Sequence, residues 1–186
     1  MTDWTRRSFL AAAGVGLAAC TSQPSIPESP RERIDRQVDE ALAELYQTVP
    51  GASDLGARSQ GILVIPKIRK AGFFASGAYG EGALVIGPAK VEYYSLCSAG
   101  LGFTFGAAEY NQTLFFLTSQ ALQDFRLADG WELGADAAVT VPKAGGAAAG
   151  ISSMRINRPI VEVVYGQRGL IADASFAGAK YSRIIR

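Results

Sequence analysis

Glycine within apolar, strand-like segments is the feature that most restricts the fold of this chain. Four glycines interrupt KAGFFASGAYGEGALVI, Lys70 to Ile86, and in GLGFTFG, Gly100 to Gly106, large apolar residues alternate with glycine and threonine. A period of two is typical of a β-strand. Glycine in a strand indicates a bulge, a sharp bend, the close approach of another backbone, or space left for a ligand. The pattern predicts a strongly bent antiparallel sheet, either a sandwich or a barrel, that is rich in glycine.

Helical periodicity is confined to two segments. Ser29, Pro30 and Glu32 have the pattern of a capping box, and apolar residues recur at helical spacing from Pro30 to Thr48. This segment predicts an N-terminal amphipathic helix, and Ser119 to Leu127 predicts one short later helix. The fold class is therefore mainly β (α+β), with the helices at one side of the sheet. The predicted strands are 61–66, Gly77–Ile86, Glu92–Phe105, Thr113–Thr118, Trp131–Val141, Arg155–Tyr165, Leu170–Phe176 and Ala179–Ile185.

The first twenty residues have the features of an export signal. Arg6 and Arg7 precede a short apolar run and resemble a twin-arginine signal, and LAAC, which ends at Cys20, resembles the lipobox of bacterial lipoproteins. The run Leu10 to Ala19 spans ~15 Å as a helix, too short to cross a hydrocarbon core of ~30 Å. We therefore expect a signal peptide over residues 1–20 and lipid modification of Cys20. The alternative is an ordinary secretory signal with an incidental cysteine.

A tether and one domain are expected after Cys20. Residues 21–29 are rich in serine and proline, which favours a semi-extended tether, and residues 30–186 are expected to form a single domain. Lipidation would hold this domain on the periplasmic side of the cell envelope. Thr21 stands where an aspartate would retain a lipoprotein at the inner membrane, which favours the outer membrane. Cys97 is then the only free thiol, and we expect it to be a small buried residue.

Composition argues against nucleic-acid binding and against most catalytic sites. The chain has 18 basic and 17 acidic residues, and it has no histidine, the commonest general base and metal ligand. Glu132 and Asp136 lie ~13 Å apart along a strand, too far for one metal ion. No phosphate-binding loop, dinucleotide motif or nucleophile elbow is present. We expect a protein that is not an enzyme and has no cofactor. Glu81 is expected either to have a raised pKa or to pair with a lysine or arginine.

Two groups of residues are candidates for lipid contact. Lys67, Arg69 and Lys70 precede a pair of phenylalanines, an arrangement that suits anionic headgroups, although a solvated loop would have the same pattern. Aromatic residues on the glycine-rich strands are candidates for an acyl-chain cavity, although close packing of the strands would also account for them. These residues are Phe73, Tyr79, Tyr93, Phe103, Phe105 and Phe115.

Several ordered blocks of sequence resemble the SYLF domain. They are GILVIPKIRKAGFFASGAYGEGAL, YYSLCSAGLGFTFGA, LFFLTSQALQDF, LGADAAVT and VEVVYGQRGLIADASFAGAKYSRI, and they extend roughly from Ala41 to Ile185. The resemblance implies lipid binding: eukaryotic members associate with phosphoinositides, and fungal members with actin assembly. The basic positions that match the family are Lys67 and Lys70.

Together these features predict a membrane-anchored, non-enzymatic envelope lipoprotein. It would bind lipid, as anionic phospholipid or as an acyl chain, through its SYLF-like domain. The alternative is a structural or partner-binding scaffold of the cell envelope with a fully packed core. The expected partners are therefore membrane lipid and an envelope protein, and not nucleic acid.

Overall fold

The computed structural model describes residues 27–128, 130–132, 137–140 and 158–186, with the backbone alone at 101–104, 137–140 and 170–178. The predicted export signal, Cys20 and most of the tether lie outside these residues. In the part of the chain that is described, no helix combines the length and apolar character needed to cross a membrane.

Three helices are described, and local sequence signals account for their ends. Helix α1 spans Pro30–Thr48, as predicted, and begins with a complete capping box: the Ser29 side chain accepts from the Glu32 amide, and the Glu32 carboxylate accepts from the Ser29 amide. Helix α2 spans Ala52–Arg58, and α3 spans Ser119–Leu127 after the Thr118 cap. The buried residues of α1 lie along one face, as its periodicity predicts: they are Ile34, Val38, Ala41 and Leu45.

Six strands form one sheet, in which all pairs are antiparallel except β5 with β6. The order is β1-β2-β3-β6-β4, with β5 also paired to β6 and β1 also paired to β3. The strands span the following residues: β1 Gly61–Gly72, β2 Ala75–Ile86, β3 Ala89–Phe116, β4 Trp131–Glu132, β5 Ala137–Thr140 and β6 Ile160–Ile184.

The bend of the sheet lies where β3 passes around the end of the β1–β2 hairpin. The first part of β3 pairs with β2 as far as Leu101, and its second part pairs with β1 from Gly106 onward. Gly106 has a φ of 118°, which favours glycine, so the glycine-rich GLGFTFG segment allows one long strand to turn through this region. Strand β6 pairs with β3 throughout the bend. The prediction of a mainly β fold built on an antiparallel sheet is confirmed, and the sheet is not closed into a barrel.

Three predictions of strand boundaries are wrong. Strand β1 continues beyond its predicted end at Pro66 to Gly72. The segments Glu92–Phe105 and Thr113–Thr118 are parts of the single strand β3, and the segments that were expected as three closing strands are joined in β6. Bulges explain the difference, because pairing continues after a register shift between Glu109 and Asn111. A bulge bends a strand without ending it.

Hydrophobic clusters cover both faces of the sheet. Alternate residues of one strand enter different clusters: Val64 packs with α1 and α2, whereas Leu63 and Ile65 pack with α3. The prediction that the helices lie at one side is therefore wrong. We name the hydrophobic cluster that contains Val64 the α1-side cluster, and the one that contains Leu63 and Ile65 the α3-side cluster.

Two glycines of β2 show what the missing side chains permit. A Cβ atom at Gly80 would lie 2.7 Å from Ile68 Cγ1 and 2.8 Å from Ile65 Cγ2, and one at Gly82 would overlap the Val64 carbonyl oxygen. At both positions the close approach of β1 requires glycine. These positions leave no space for a ligand.

Candidate functional site

An exposed aromatic group lies at the end of the β1–β2 hairpin. Phe73 and Phe74 connect the two strands, and Phe105 of β3 lies beside them, with ring-centroid distances of 4.5 Å for Phe73–Phe74 and 5.7 Å for Phe73–Phe105. The three side chains are 59%, 66% and 58% exposed in that order. We name Phe73, Phe74 and Phe105 the aromatic tip. Three neighbouring exposed phenylalanines form an apolar patch of the kind that marks an interaction surface.

The hairpin carries the aromatic tip beyond both hydrophobic clusters. Ile68 is the last fully buried residue of β1, and Phe73 follows five residues later, ~17 Å along an extended strand. Between β1 and β3, Gly72 pairs with Gly106 and Ala71 pairs with Ala107, so the β1–β3 ladder directly below the tip consists of small residues.

The three basic candidates lie on β1 between the clusters and the tip. Lys67 Nζ lies 3.9 Å from a carboxylate oxygen of Glu40, and Arg69 Nε lies 3.5 Å from one of Glu109. The Arg69 side chain is 84% exposed and Lys70 is half-buried. Long, exposed ion pairs contribute little to stability, so a stronger anion can replace these carboxylates at small cost.

The aromatic candidates for an acyl-chain cavity lie in three different surroundings. Phe73 and Phe105 belong to the aromatic tip, and Tyr79 is 52% exposed on β2. Tyr93 and Phe115 are buried in the α1-side cluster, where the Tyr93 hydroxyl donates to Asp35 at 2.8 Å. The side chain of Phe103 lies outside the description. The described side chains therefore do not enclose one cavity.

The structure tests the expectations for Glu81, a raised pKa or an ion pair, and for Cys97, a buried thiol. Glu81 pairs with Arg186 and Arg33 and accepts from Tyr79, and although partial burial opposes the effect, the hydrogen bonds from Tyr79 and Arg186 lower its pKa. The paired alternative is confirmed for Glu81. Cys97 is exposed, so the prediction that it is buried is wrong.

A pocket of about 190 Å³ lies between α1 and the bulged parts of β1, β3 and β6. Asn111 organises it: its side-chain oxygen accepts from the Lys67 amide at 2.9 Å, and its nitrogen donates to Glu44 at 3.0 Å. We name it the charged pocket. Its lining residues are Gln37, Glu40, Ala41, Glu44, Pro66, Lys67, Glu109, Asn111, Gly166 and Arg168. Sequence reasoning missed it because its residues are far apart in the chain.

A buried carboxyl group on the other face was also missed. Glu162 of β6 is 5% exposed; one carboxyl oxygen accepts from Gln112, and the other, Oε2, has no hydrogen-bond partner. The same Gln112 nitrogen donates to the Tyr181 hydroxyl at 2.6 Å. Burial raises the pKa of Glu162 to about 7, and the bond from Gln112 only partly offsets this. The available signal was a single charge in the apolar run PIVEVVY.

No metal site is formed by the described parts of the chain, where no three histidine, cysteine, aspartate or glutamate side chains converge. The fold and the aromatic tip instead define a bent-sheet domain with an exposed apolar patch.

Comparison with known proteins shows which family part of this chain is similar to. Residues 97–183, just under half of the chain, match the model of the Ysc84 family, described as Las17-binding protein actin regulator, whose domain is the SYLF domain. The predicted resemblance is confirmed. SYLF-domain proteins bind lipid in general and are not known as enzymes.

Similarity to a second protein extends toward the N-terminus. The chain is 28% identical over 159 residues to beta cell expansion factor A of Aeromonas veronii. The alignment covers 85% of this chain and 59% of the relative, so the chain spans about three fifths of the length of the curated relative it matches.

Proposed function

We propose that this protein is a membrane-anchored, non-enzymatic lipoprotein of the cell envelope whose domain binds a phospholipid bilayer through the aromatic tip. The observation that carries the proposal is the exposure of three adjacent phenylalanines at the end of a hairpin that extends beyond the core. The general lipid binding of SYLF-domain proteins supports it.

The energetics favour shallow insertion of the tip. Transfer of one phenylalanine side chain from water to an apolar environment contributes roughly 1.5–3 kcal/mol, so three half-exposed rings provide several kcal/mol. Lys67, Arg69 and Lys70 lie on the strand behind the rings and add about 1 kcal/mol each near an anionic surface. Aromatic insertion together with basic contacts is sufficient for reversible attachment.

The predicted tether is long enough to bring the tip to the membrane that holds the anchor. Ten residues separate Cys20 from Pro30, and they reach ~31 Å in a polyproline conformation. The start of α1 lies near Glu81, which Arg33 contacts at 3.9 Å. From Glu81 to Phe74 is seven residues, ~23 Å along the strand. A lipid on Cys20 and the tip can therefore contact one bilayer.

Surface contact is favoured over an enclosed acyl chain. Tyr93 and Phe115, two of the six candidates for a cavity, are packed in the α1-side cluster. The exposed candidates, Phe73 and Phe105, face solvent at the tip. The bilayer, and not a cavity within the domain, is the environment that these exposed rings suit.

The test is binding of a soluble form to liposomes. Residues 21–186 would be mixed with vesicles of phosphatidylglycerol and phosphatidylcholine, and the double variant Phe73→Ser/Phe74→Ser would be compared with Leu127→Ser. Leu127 is 84% exposed at the end of α3, so its replacement removes exposed apolar surface at a position away from the tip.

We expect the double variant to bind at least tenfold more weakly and Leu127→Ser to bind like the parent. Mass spectrometry of the detergent-free protein would show whether it carries lipid. Equal binding by the two variants would overturn the role of the tip. Absence of binding to any vesicle, together with absence of carried lipid, would overturn lipid binding.

A protein partner is the second candidate, because the description of the matched family names Las17 binding. An exposed aromatic tip also suits a protein interface, where aromatic residues provide much of the binding free energy. A protein that ignores liposomes and is cross-linked to an envelope protein through the tip would favour this alternative.

A further inference from the structure

The charged pocket is lined by charged side chains of both signs, and several of them have weak ion pairs or none among the described residues. Glu44 accepts from the neutral amide of Asn111 and, within the described ranges, lies in no ion pair. Arg168, which also lines the pocket, has no ionic partner among the side chains described. Lys67 has only the 3.9 Å contact with Glu40, which Arg36 already binds at 2.8 Å. Glu44, Arg168 and Lys67 thus remain available to a ligand in one pocket, whose other two carboxylates, Glu40 and Glu109, are paired with arginines.

The backbone that forms the pocket is held in conformations that ordinary residues avoid. Lys67 has a φ of 50°, the only positive value of a residue other than glycine in the described chain, and the bond from its amide to Asn111 holds it there. Gly166 has a φ of 64°, and a Cβ atom on it would lie 2.8 Å from Asn111 Nδ2 and 2.9 Å from a Glu44 oxygen. The walls are therefore fixed in position before a ligand arrives, which lowers the entropic cost of binding.

Size restricts the ligand. The pocket volume of about 190 Å³ has room for several water molecules, since a cavity needs ~10–15 Å³ of such volume to hold one. It is smaller than the ~300–1,000 Å³ of sites for drug-sized molecules and cannot hold an acyl chain. A polar headgroup of a few atoms fits.

We propose that the charged pocket binds a small zwitterion that carries a primary ammonium group and a phosphate. The ammonium group donates to Glu44, and the phosphate contacts Arg168 and Lys67. Two sources share this chemistry, the headgroup of phosphatidylethanolamine and free phosphoethanolamine. The lipid source rests on the proposed function, whereas the binding of the soluble zwitterion does not.

Position along the strands supports the lipid source. Glu109 pairs with Arg168 in the ladder and lies three residues from Gly106 at the base of the tip, ~10 Å along the strand. The headgroup layer of a bilayer is ~5–8 Å thick on each side of the hydrocarbon. When the tip enters the hydrocarbon boundary, the part of the pocket at Glu109 and Arg168 lies nearest the headgroups, with Lys67 further from the membrane.

Calorimetric titration of residues 21–186 with phosphoethanolamine tests the pocket without a membrane. We expect saturable binding, at least tenfold tighter than that of phosphate or ethanolamine alone. Phosphocholine is the matched ligand control: its trimethylated nitrogen has no hydrogen to donate, so binding should be at least tenfold weaker. Equal binding of phosphoethanolamine and phosphocholine, or no saturable binding, would overturn the proposal.

Three variants assign the two ends of the ligand. Glu44→Gln keeps an acceptor for Asn111 but removes the charge, and Arg168→Gln removes the cation; each should weaken binding about tenfold, the loss of one charge-assisted hydrogen bond. Gly166→Ala should abolish binding. Its control, Gly87→Ala, has the same strain at φ 58° but nothing within 4 Å, and should bind normally. Unchanged affinity in both charge variants would contradict the assignment.

Liposomes distinguish the two sources. Vesicles in which phosphatidylethanolamine replaces phosphatidylcholine should bind the parent several-fold more tightly, and Glu44→Gln should lose this difference. If soluble phosphoethanolamine binds but the vesicles do not differ, the source is the free solute and the lipid source is overturned. If vesicles bind through the aromatic tip but no soluble zwitterion binds, the pocket proposal fails while the proposed function stands.

Discussion

Replacement of Glu162 by glutamine should change how the stability of this domain depends on pH. Glutamine has nearly the same shape and keeps an oxygen that can accept from Gln112, but it cannot ionise. In the native protein the carboxyl group is 5% exposed and Oε2 has no partner, so its ionised form is poorly solvated. The neutral form is favoured as a result.

The expected magnitude follows from the pKa. Burial raises the pKa of Glu162 from 4.5 to about 7 in the folded state, and each unit corresponds to about 1.4 kcal/mol. Because the unfolded chain loses its proton at lower pH, the free energy of unfolding is highest below about pH 4.5. It falls by about 3 kcal/mol as the pH rises to 7 and changes little from this cause above it.

The assay is urea unfolding of residues 21–186 at a series of pH values from 4 to 8. Trp131 is the only tryptophan of this form, and its ring lies 5.5 Å from Tyr181, which shares Gln112 with Glu162. Its fluorescence therefore reports on the region of the substitution. We expect Glu162→Gln to gain about 3 kcal/mol over the parent between pH 4 and pH 8.

The control is Asp124→Asn, on the exposed side of α3, which should not reproduce this gain. Parallel pH profiles for the parent and Glu162→Gln would refute the reasoning. That result would mean that the carboxylate is ionised in the folded protein and is compensated by a cation.

Three further predictions concern the helix cap at Ser29, the close approach of β1 to β2 at Gly82, and the exposed thiol of Cys97. Ser29→Ala removes one half of the capping box and should lower the free energy of unfolding by about 1 kcal/mol in urea titrations. Gly82→Ala should lower it by several kcal/mol, because the new Cβ atom meets the Val64 carbonyl, whereas Gly77→Ala, with no neighbour nearer than 4.0 Å, should be neutral. An equal effect of the two would refute the close-approach argument. Cys97 should react with a thiol reagent in the folded protein at the rate of the unfolded chain, and strong protection would contradict its exposure.

The parts of the fold that depend on near neighbours could be predicted from the sequence. The capping box at Ser29 and the apolar period after it act within a few residues, and α1 begins and ends where they indicate. The lengths of β3 and β6 could not be predicted in this way. Whether a strand ends or bends at Gly106 depends on pairing with β1, which is some thirty residues earlier in the chain.

In the candidate site, too, contacts between residues that are distant in the sequence could not be predicted. Phe73 and Tyr93 lie in similar aromatic and glycine-rich contexts, and the sequence assigns them one role. The structure separates them because α1 packs on Tyr93, where the Arg31 guanidinium lies over the ring and Asp35 accepts from the hydroxyl. Phe73 is left exposed. The expected burial of Cys97 is wrong, since its side chain is exposed on β3.

The residues of β1 differ between its end near the helices and its end near the aromatic tip. Near the helices, β1 carries Leu63, Val64 and Ile65, whose burial stabilises the sheet; toward the tip the ladder contains glycine and alanine, which bury little. The β1–β3 pairs of this outer part therefore gain little from side-chain burial, so we expect them to be the less stable pairs of that ladder in water. Burial of the phenylalanine rings in a bilayer would supply the apolar contact that the outer ladder lacks. An exposed tip on a weakly packed hairpin is therefore consistent with a region whose final stability comes from the membrane.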